Sequence, residues 1–131
     1  MRPAIVPLSV RWCLVLAALC PGPSGSLCLL GDRLRVEVSY ERPGGESGPA
    51  VGVPVAETSG YFWFVRAANP EVVVKVADGR SVNGHLWVFL GGLSTLAYTV
   101  EVTDLLSGAR RTYSHPAGPA ASRADLEAFS P

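Results

Sequence analysis

The chain has no apolar stretch long enough to cross a membrane, which as a helix takes about 20 consecutive apolar residues. Its longest uninterrupted apolar run covers residues 12–19, which suits the core of a signal peptide, roughly 7–15 residues long. Arg2 and Arg11 lie before this run, and Ser24 and Ser26 place small side chains at the two positions that a signal peptidase inspects. The sequence therefore predicts a cleavable signal peptide over residues 1–26 and no transmembrane anchor.

Cysteine is also scarce, with 3 in the whole sequence. Cys13 and Cys20 lie in the predicted signal peptide, so the exported chain would keep only Cys28 and form no internal disulfide. This excludes a disulfide-stapled scaffold and a cysteine-rich zinc site. We interpret Cys28 as a small buried hydrophobic residue, with an intermolecular disulfide or a reactive thiol as the alternatives.

The sequence does not favour a lipid anchor. A lipoprotein signal needs a small residue directly before the modified cysteine, but Leu19 precedes Cys20 and Leu27 precedes Cys28. We therefore expect a secreted protein, either extracellular or periplasmic.

An excess of basic charge is missing as well. Of the 11 basic residues, Arg2 and Arg11 would leave with the signal peptide, so nine remain against 11 acidic residues. The charges are scattered singly apart from Arg110 and Arg111, which gives no basic stripe for phosphate contacts. Nucleic acid is therefore excluded as an expected partner.

The sequence offers little for catalysis. The 2 histidines are His85 and His115, and a hydrolase would need a nucleophile and an orienting acid beside one of them. Ser81 and Asp78 lie near His85 along the chain, but no Gly-x-Ser-x-Gly motif surrounds the serine. We predict that the protein is not an enzyme, and a small hydrolase centred on His85 is the less favoured alternative.

Acidic residues give no recognisable metal or glycosidase site. Asp32, Asp78 and Asp104 flank turns without forming a calcium-binding loop, so we interpret them as turn formers and expect no metal or cofactor. Glycoside cleavage would need two paired carboxylates in a cleft. The glutamates in question lie mostly at outward positions of alternating strands: Glu37, Glu41, Glu57, Glu71 and Glu101.

What the sequence does contain is period-2 alternation of apolar and polar residues. Leu34, Val36 and Val38 alternate with Arg35 and Glu37, the pattern of a half-buried antiparallel strand. Similar segments recur about every 8–12 residues, which predicts a single antiparallel β-sandwich of about seven strands.

The boundaries and edges of this domain also follow from the sequence. We expect the β-sandwich over residues 27–114 and a tail rich in Pro, Ala and Gly over residues 115–131. Leu126 and Phe129 could dock this tail back onto the domain. Because Pro54 cannot donate a hydrogen bond to a neighbouring strand, we place its strand at a sheet edge.

Large aromatic residues are concentrated in two predicted strands. On the first, Tyr61 and Trp63 share one face, while Phe62 and Phe64 share the other. The second strand contains Trp87 and is apolar on both faces, so we expect it to be central and covered on each side. We favour core packing for these aromatic residues, because a domain without disulfides needs its large hydrophobic groups. The alternative is that Tyr61, Trp63 and Trp87 form a binding surface for a sugar or a protein.

Two resemblances add to this interpretation. The segment from Leu93 to Val102 resembles the tyrosine-corner region of immunoglobulin-like and fibronectin type III domains, with Tyr98 opening a strand. CLLGDRLRVEV (28–38), GYFWF (60–64), VVKVADGR (73–80), NGHLWVF (83–89) and YTVEVTD (98–104) together resemble a recurrent domain of secreted bacterial proteins. That family has no established activity, so the resemblance implies export and a compact domain. Some members carry a second cysteine at the position of Arg80, which implies that a bridge from Cys28 to that position is missing in this chain.

Taken together, the residues predict a secreted, non-enzymatic, immunoglobulin-like β-sandwich that acts as an interaction or accessory module. Its partner would be a protein or a glycan of the cell envelope or the medium. A carbohydrate-binding module is the alternative, using whichever of Tyr61, Trp63 and Trp87 is exposed.

Overall fold

The computed structural model describes residues 20–131, so the apolar run of the predicted signal peptide lies outside the described residues. The described part contains ten β-strands and one single-turn helix, and none of its helices is long and apolar enough to cross a membrane. The elements are β1 (Leu27–Leu29), β2 (Leu34–Glu41), β3 (Ser47–Pro49), β4 (Val51–Ala56), β5 (Ser59–Trp63), β6 (Pro70–Gly79), α1 (Arg80–Asn83), β7 (His85–Gly92), β8 (Ala97–Asp104), β9 (Arg110–His115) and β10 (Ser122–Phe129).

The strands form two antiparallel sheets of five strands each. Sheet I has the order β1-β2-β8-β9, with β3 also paired to β2, and sheet II has the order β10-β7-β6-β5-β4. Both sheets contribute to one buried cluster of hydrophobic side chains. The all-β, sandwich-like architecture predicted from the alternating segments is therefore confirmed.

The alternation in β2 correctly identified the side chains that face the core. Leu34, Val36 and Val38 are at most 5% exposed, and β2 pairs along its whole length with β8. In sheet II, the inward residues of β6 are the predicted Val72, Val74 and Val76. β4 forms the outer edge of sheet II, so the edge position inferred from Pro54 is also confirmed.

Two expectations about the extent of the domain are wrong. The structure has ten strands in residues 20–131, because β1 and β3 are too short to show alternation. The segment expected to be a tail contains β10, which pairs with the central strand β7, so the sandwich continues beyond residue 114. Phe129 is 1% exposed and docks as predicted, whereas Leu126 is 44% exposed.

The expectation of no internal disulfide is also contradicted, because Cys20 and Cys28 are bonded to each other. The expectation rested on losing Cys20 with the signal peptide. The described residues before β1 lie against the domain: Gly52 N donates to the Gly25 carbonyl oxygen at 2.9 Å. Arg35 Nη1 donates to the Pro21 carbonyl oxygen at 2.7 Å.

A buried ion pair joins the start of β2 to the end of β8. Arg33 donates from Nε and Nη2 to the two carboxylate oxygens of Asp104, each at 3.0 Å. Asp104 also accepts hydrogen bonds from the Leu106 backbone N at 3.0 Å and from Ser107 Oγ at 2.9 Å. Burial raises the pKa of Asp104, but the bonds from Arg33, Ser107 and Leu106 outweigh it and bring the pKa to about 2.

Candidate functional site: an aromatic sheet face

The outer side of sheet II is covered by large apolar side chains. Phe62 of β5 is 0% exposed, and Phe64, which directly follows this strand, is 3% exposed. Tyr61 and Trp63 are only half-buried, because successive residues of a strand point to opposite sides of the sheet. The core packing that we favour for the aromatic residues holds for Phe62 and Phe64, whereas Tyr61 and Trp63 lie on the outer side of the sheet and are only partly covered.

The strand register brings the second group of aromatic residues to the same side. Tyr61 lies opposite Val73 of β6, and along β6 the same side continues to Ala77, which lies opposite Trp87. Phe89 shares this side and, like Trp87, is half-buried. We call Tyr61, Trp63, Val73, Trp87 and Phe89 the aromatic face.

This arrangement corrects the expectation that β7 is covered on both sides. β7 is central, since it lies between β10 and β6. Its inward residues Leu86, Val88 and Leu90 are buried, but the residues on the opposite side are only half-buried. Tyr61, Trp63 and Trp87, which the sequence analysis gives as an alternative binding surface, thus lie on one side of one sheet.

Trp87 is held in a fixed orientation on the aromatic face. A side-chain carbon added at Gly79 would collide with the indole ring, so the ring lies directly over this glycine. The indole Nε1 donates to Asn83 Oδ1 at 2.8 Å, and Asn83 Nδ2 donates to the Leu126 carbonyl oxygen at 2.7 Å. One face of the indole is therefore packed on the sheet, and its polar edge is hydrogen-bonded.

Gly79→Ala is expected to displace the indole of Trp87. Forcing an extra carbon into packed space costs about 1–3 kcal/mol, so the free energy of unfolding should fall by that amount. Acrylamide should also quench the tryptophan fluorescence of the exported chain more strongly. Gly91→Ala on the same side of β7 is the control, because the nearest atom to its added carbon is Val73 Cβ at 3.9 Å. Equal quenching in both variants would contradict this packing.

A lysine side chain and a surface depression border the aromatic face. The Lys75 ammonium lies 5.8 Å from the centre of the Phe89 ring, and Trp87 meets the same ring edge-on at 6.4 Å. Beyond Tyr61 and Val73, the surface dips into an open, mainly apolar depression of about 300 Å³. Leu93, at its rim, is 60% exposed.

The outer side of sheet I has the opposite character. Arg35 Nε lies 3.0 Å from a carboxylate oxygen of Glu37, and Arg110 Nη1 lies 3.6 Å from a carboxylate oxygen of Glu101. The first pair is partly buried and the second is more exposed, and charged side chains of this kind are typical of the polar side of a sheet. The aromatic face is therefore a property of sheet II alone.

Two of the glutamates considered for glycoside cleavage, Glu37 and Glu101, are neighbours in sheet I. They lie opposite each other on β2 and β8 and line a depression of about 360 Å³ next to residues 23–26. Glu37 forms an ion pair with Arg35, and Glu101 forms one with Arg110.

Apart from the backbone pairing of its strand, the hydrogen bonds of His85 in the described part of the chain are made to Asn83. Within residues 20–131, the ring Nδ1 of His85 lies 3.0 Å from the Asn83 carbonyl oxygen and forms no hydrogen bond to Ser81 or Asp78. Asp78 is engaged by Arg80, whose side-chain and backbone hydrogen bonds lower the pKa of Asp78 to about 2.

The turn interpretation of the three aspartates agrees with their positions. Asp104 caps the turn after β8 through the Leu106 N–H, and Asp32 has a positive φ of 62° between β1 and β2.

The one group of potential metal ligands found in residues 20–131 joins Asp32 to Cys20 and Cys28. Because these two cysteines are bonded to each other, they offer no thiolate to a metal.

Sequence reasoning missed the residues that orient the aromatic face. The roles of Asn83 and Gly79 depend on their contacts with the indole of Trp87, which the sequence pattern does not indicate. Phe89 is not among the predicted site residues, and the register of β7 against β6 places it on the same side as Trp87. Comparison of the sequence with protein families, curated proteins and solved structures gave no match. The resemblance to a secreted bacterial domain therefore stays a prediction.

Proposed function

We propose that this chain is exported by a cleavable signal peptide and acts outside the cytoplasm as a non-enzymatic interaction module. The aromatic face is its binding surface. The observation that carries this proposal is the difference between the two outer surfaces, because sheet I presents ion pairs while sheet II presents half-buried aromatic rings. Contiguous apolar patches on a soluble domain commonly mark an interaction site.

Two observations support export. The apolar run at residues 12–19 has the length of a signal-peptide core. The disulfide between Cys20 and Cys28 suits an oxidising compartment, such as the periplasm or the extracellular medium, where disulfides form and persist.

We also propose that the sandwich is of the immunoglobulin-like type. Tyr98 is the second residue of β8 and is buried, as the resemblance to the tyrosine-corner region implies. Its ring stacks on that of His115 of β9, with the ring centres 4.8 Å apart. This second histidine thus has a packing role, which supports the non-enzymatic interpretation.

Carbohydrate is the second candidate ligand, and the fixed indole of Trp87 favours it. A sugar ring stacks on an aromatic ring through its apolar C–H face, and this contact costs least when the ring is already oriented. Asn83 and Gly79 provide that orientation. Tyr61 and Trp63, on the same side of sheet II, extend the surface toward the edge strand β4.

The proposal predicts that single alanine substitutions on the aromatic face weaken binding. The purified exported chain is first screened against an array of cell-envelope polysaccharides and peptidoglycan fragments. Protein partners are then sought by pull-down from an envelope extract, and binding is measured again with each purified partner. Trp87→Ala, Trp63→Ala and Tyr61→Ala should each reduce the affinity about tenfold or more, since a central aromatic contact contributes about 2 kcal/mol.

Leu106→Ala is the matched control, because Leu106 is 76% exposed in the turn after β8, away from sheet II. Loss of sugar binding in Trp87→Ala would favour the carbohydrate candidate, whereas loss of binding to a reconstituted protein partner would favour the protein one. A ligand whose affinity is the same for wild type and for all three face variants would refute the aromatic face as the binding surface.

A further inference from the structure

The seven residues between Cys20 and Cys28 form part of the folded domain. The disulfide closes a loop over these residues, with the two Cα atoms 6.2 Å apart. Cys28 lies in β1, which pairs with β2. The bond therefore fixes the start of the described chain to sheet I.

Non-covalent contacts hold the same segment independently of the disulfide. The Gly25 carbonyl oxygen accepts a hydrogen bond from Gly52 N of β4 at 2.9 Å. Gly25 has a φ of +94°, and a side chain there would meet the Ala50 carbonyl oxygen at 2.8 Å, so both the conformation and the close contact call for glycine. Arg35 of β2 donates to the Pro21 carbonyl oxygen at 2.7 Å.

Cleavage after Ser26 would discard all of these contacts. Gly52 N would lose its acceptor, Arg35 would lose the Pro21 carbonyl, and Cys28 would be left as a single thiol in an oxidising compartment. Disulfides in exported domains of this size commonly contribute to stability by constraining the unfolded chain. The fold thus uses a segment that the sequence pattern alone assigns to the leader.

We propose that the signal peptidase cuts on the N-terminal side of Cys20 and that the exported chain keeps the Cys20–Cys28 disulfide. This inference rests on the proposed export. Ala17 and Ala18 are the nearest small residues before Cys20, from which Leu19 separates them. A cut after Ala18 places alanine at the cleaved bond and Leu16 at the second position that the peptidase inspects. Leu19 is then the first residue of the exported chain.

The disulfide also argues against lipidation of Cys20. Lipoprotein processing forms a thioether on the cysteine sulfur, and a sulfur atom used in that way cannot join a disulfide. Leu19 before Cys20 gives a large residue where that pathway needs a small one. Cys20 is therefore a structural half-cystine of the exported chain.

The test is to express the full chain in a bacterial host and to isolate the exported protein. N-terminal sequencing is expected to begin at Leu19, and the intact mass should match that chain with two hydrogens missing. Iodoacetamide should label no thiol under denaturing, non-reducing conditions and two thiols after reduction. In the variant Cys20→Ser, one thiol, that of Cys28, should be labelled without reduction.

The outcomes separate this inference from the proposed function. An exported chain that begins at Leu27 with one free thiol would overturn the inference and leave export intact. A diacylglyceryl mass on Cys20 would also overturn it. An unprocessed chain retained in the cytoplasm, beginning at Met1, would refute export itself.

Discussion

Replacing Phe129 with alanine is expected to lower the free energy of unfolding by about 3–5 kcal/mol, the usual cost of deleting a buried phenylalanine ring. Phe129 is 1% exposed and lies opposite Leu86 of the central strand β7. The Arg111 guanidinium lies 5.4 Å from the centre of its ring. Urea unfolding of the exported chain, followed by circular dichroism, measures the change.

Leu126→Ala is the matched control for this prediction. Leu126 belongs to the same strand and is also a large apolar residue, but it is 44% exposed. Its replacement should cost about 1 kcal/mol or less, as expected for a partly exposed site. If both variants lost equally little stability, β10 would not be an integral strand of sheet II.

Asp104→Asn is expected to lower the free energy of unfolding by about 3 kcal/mol, the lower end of the cost of breaking a buried ion pair from one side. The side chain of Asp104 is 0% exposed and that of Arg33 is 15% exposed. The amide nitrogen of asparagine cannot accept the hydrogen bonds that Arg33 and Ser107 donate, so charge and donors are left unpaired.

The same carboxylate gives the protein a defined acid sensitivity. The pKa of Asp104 is about 2 in the folded chain, below its ordinary value of 3.8, so its contribution is complete above about pH 5 and is lost as the pH falls toward 2. A pKa difference of one unit between the folded and unfolded chain corresponds to about 1.4 kcal/mol. The free energy of unfolding should therefore fall by roughly 2 kcal/mol as Asp104 is protonated. Unfolding measured from pH 6 to pH 2 should therefore show a steeper loss in the wild type than in Asp104→Asn.

Asp78→Asn is the control for both measurements. Its carboxyl also has a pKa of about 2, because Arg80 donates hydrogen bonds to it. The Asp78 and Arg80 side chains are 42% and 46% exposed, so water screens their interaction. We expect little change in stability or in its pH dependence. If this variant were as destabilised as Asp104→Asn, burial would not be the reason for the larger effect.

The sequence predicted the inner faces of the sheets well, because alternation reports burial directly. Leu34, Val36 and Val38 alternate with charged or polar residues, and a single orientation of β2 buries all three apolar side chains. Pro54 gave the position of an edge strand for a similarly local reason, since it has no N–H to donate.

The orientation of the aromatic strand could not be derived in this way. Both sides of β5 carry large apolar rings, so the pattern separates Tyr61 and Trp63 from Phe62 but does not say which side faces the core. The structure places Phe62 inside. The two rings with polar groups, which can also contact water, lie on the outer side.

The missing parts of the prediction depend on contacts between residues far apart in the chain. β10 contains Arg123, Asp125 and Glu127 at alternate positions and lies in the segment that we expect to be a tail rich in Pro, Ala and Gly. Asp125 nevertheless accepts a hydrogen bond from the Tyr113 hydroxyl at 2.8 Å. Burial, together with this bond, raises the pKa of Tyr113 well above its usual range.

The edge strand β4 also governs how copies of this chain can meet. An unpaired edge can add a strand from a second molecule and so grow into a fibre. Pro54 offers no N–H to such a strand, and the register of β4 shifts between Pro54 and Ala56. The backbone ladder of sheet II is therefore interrupted at this border, and self-association by strand addition is hindered there. Binding through the neighbouring rings can then proceed by side-chain contact without templating aggregation.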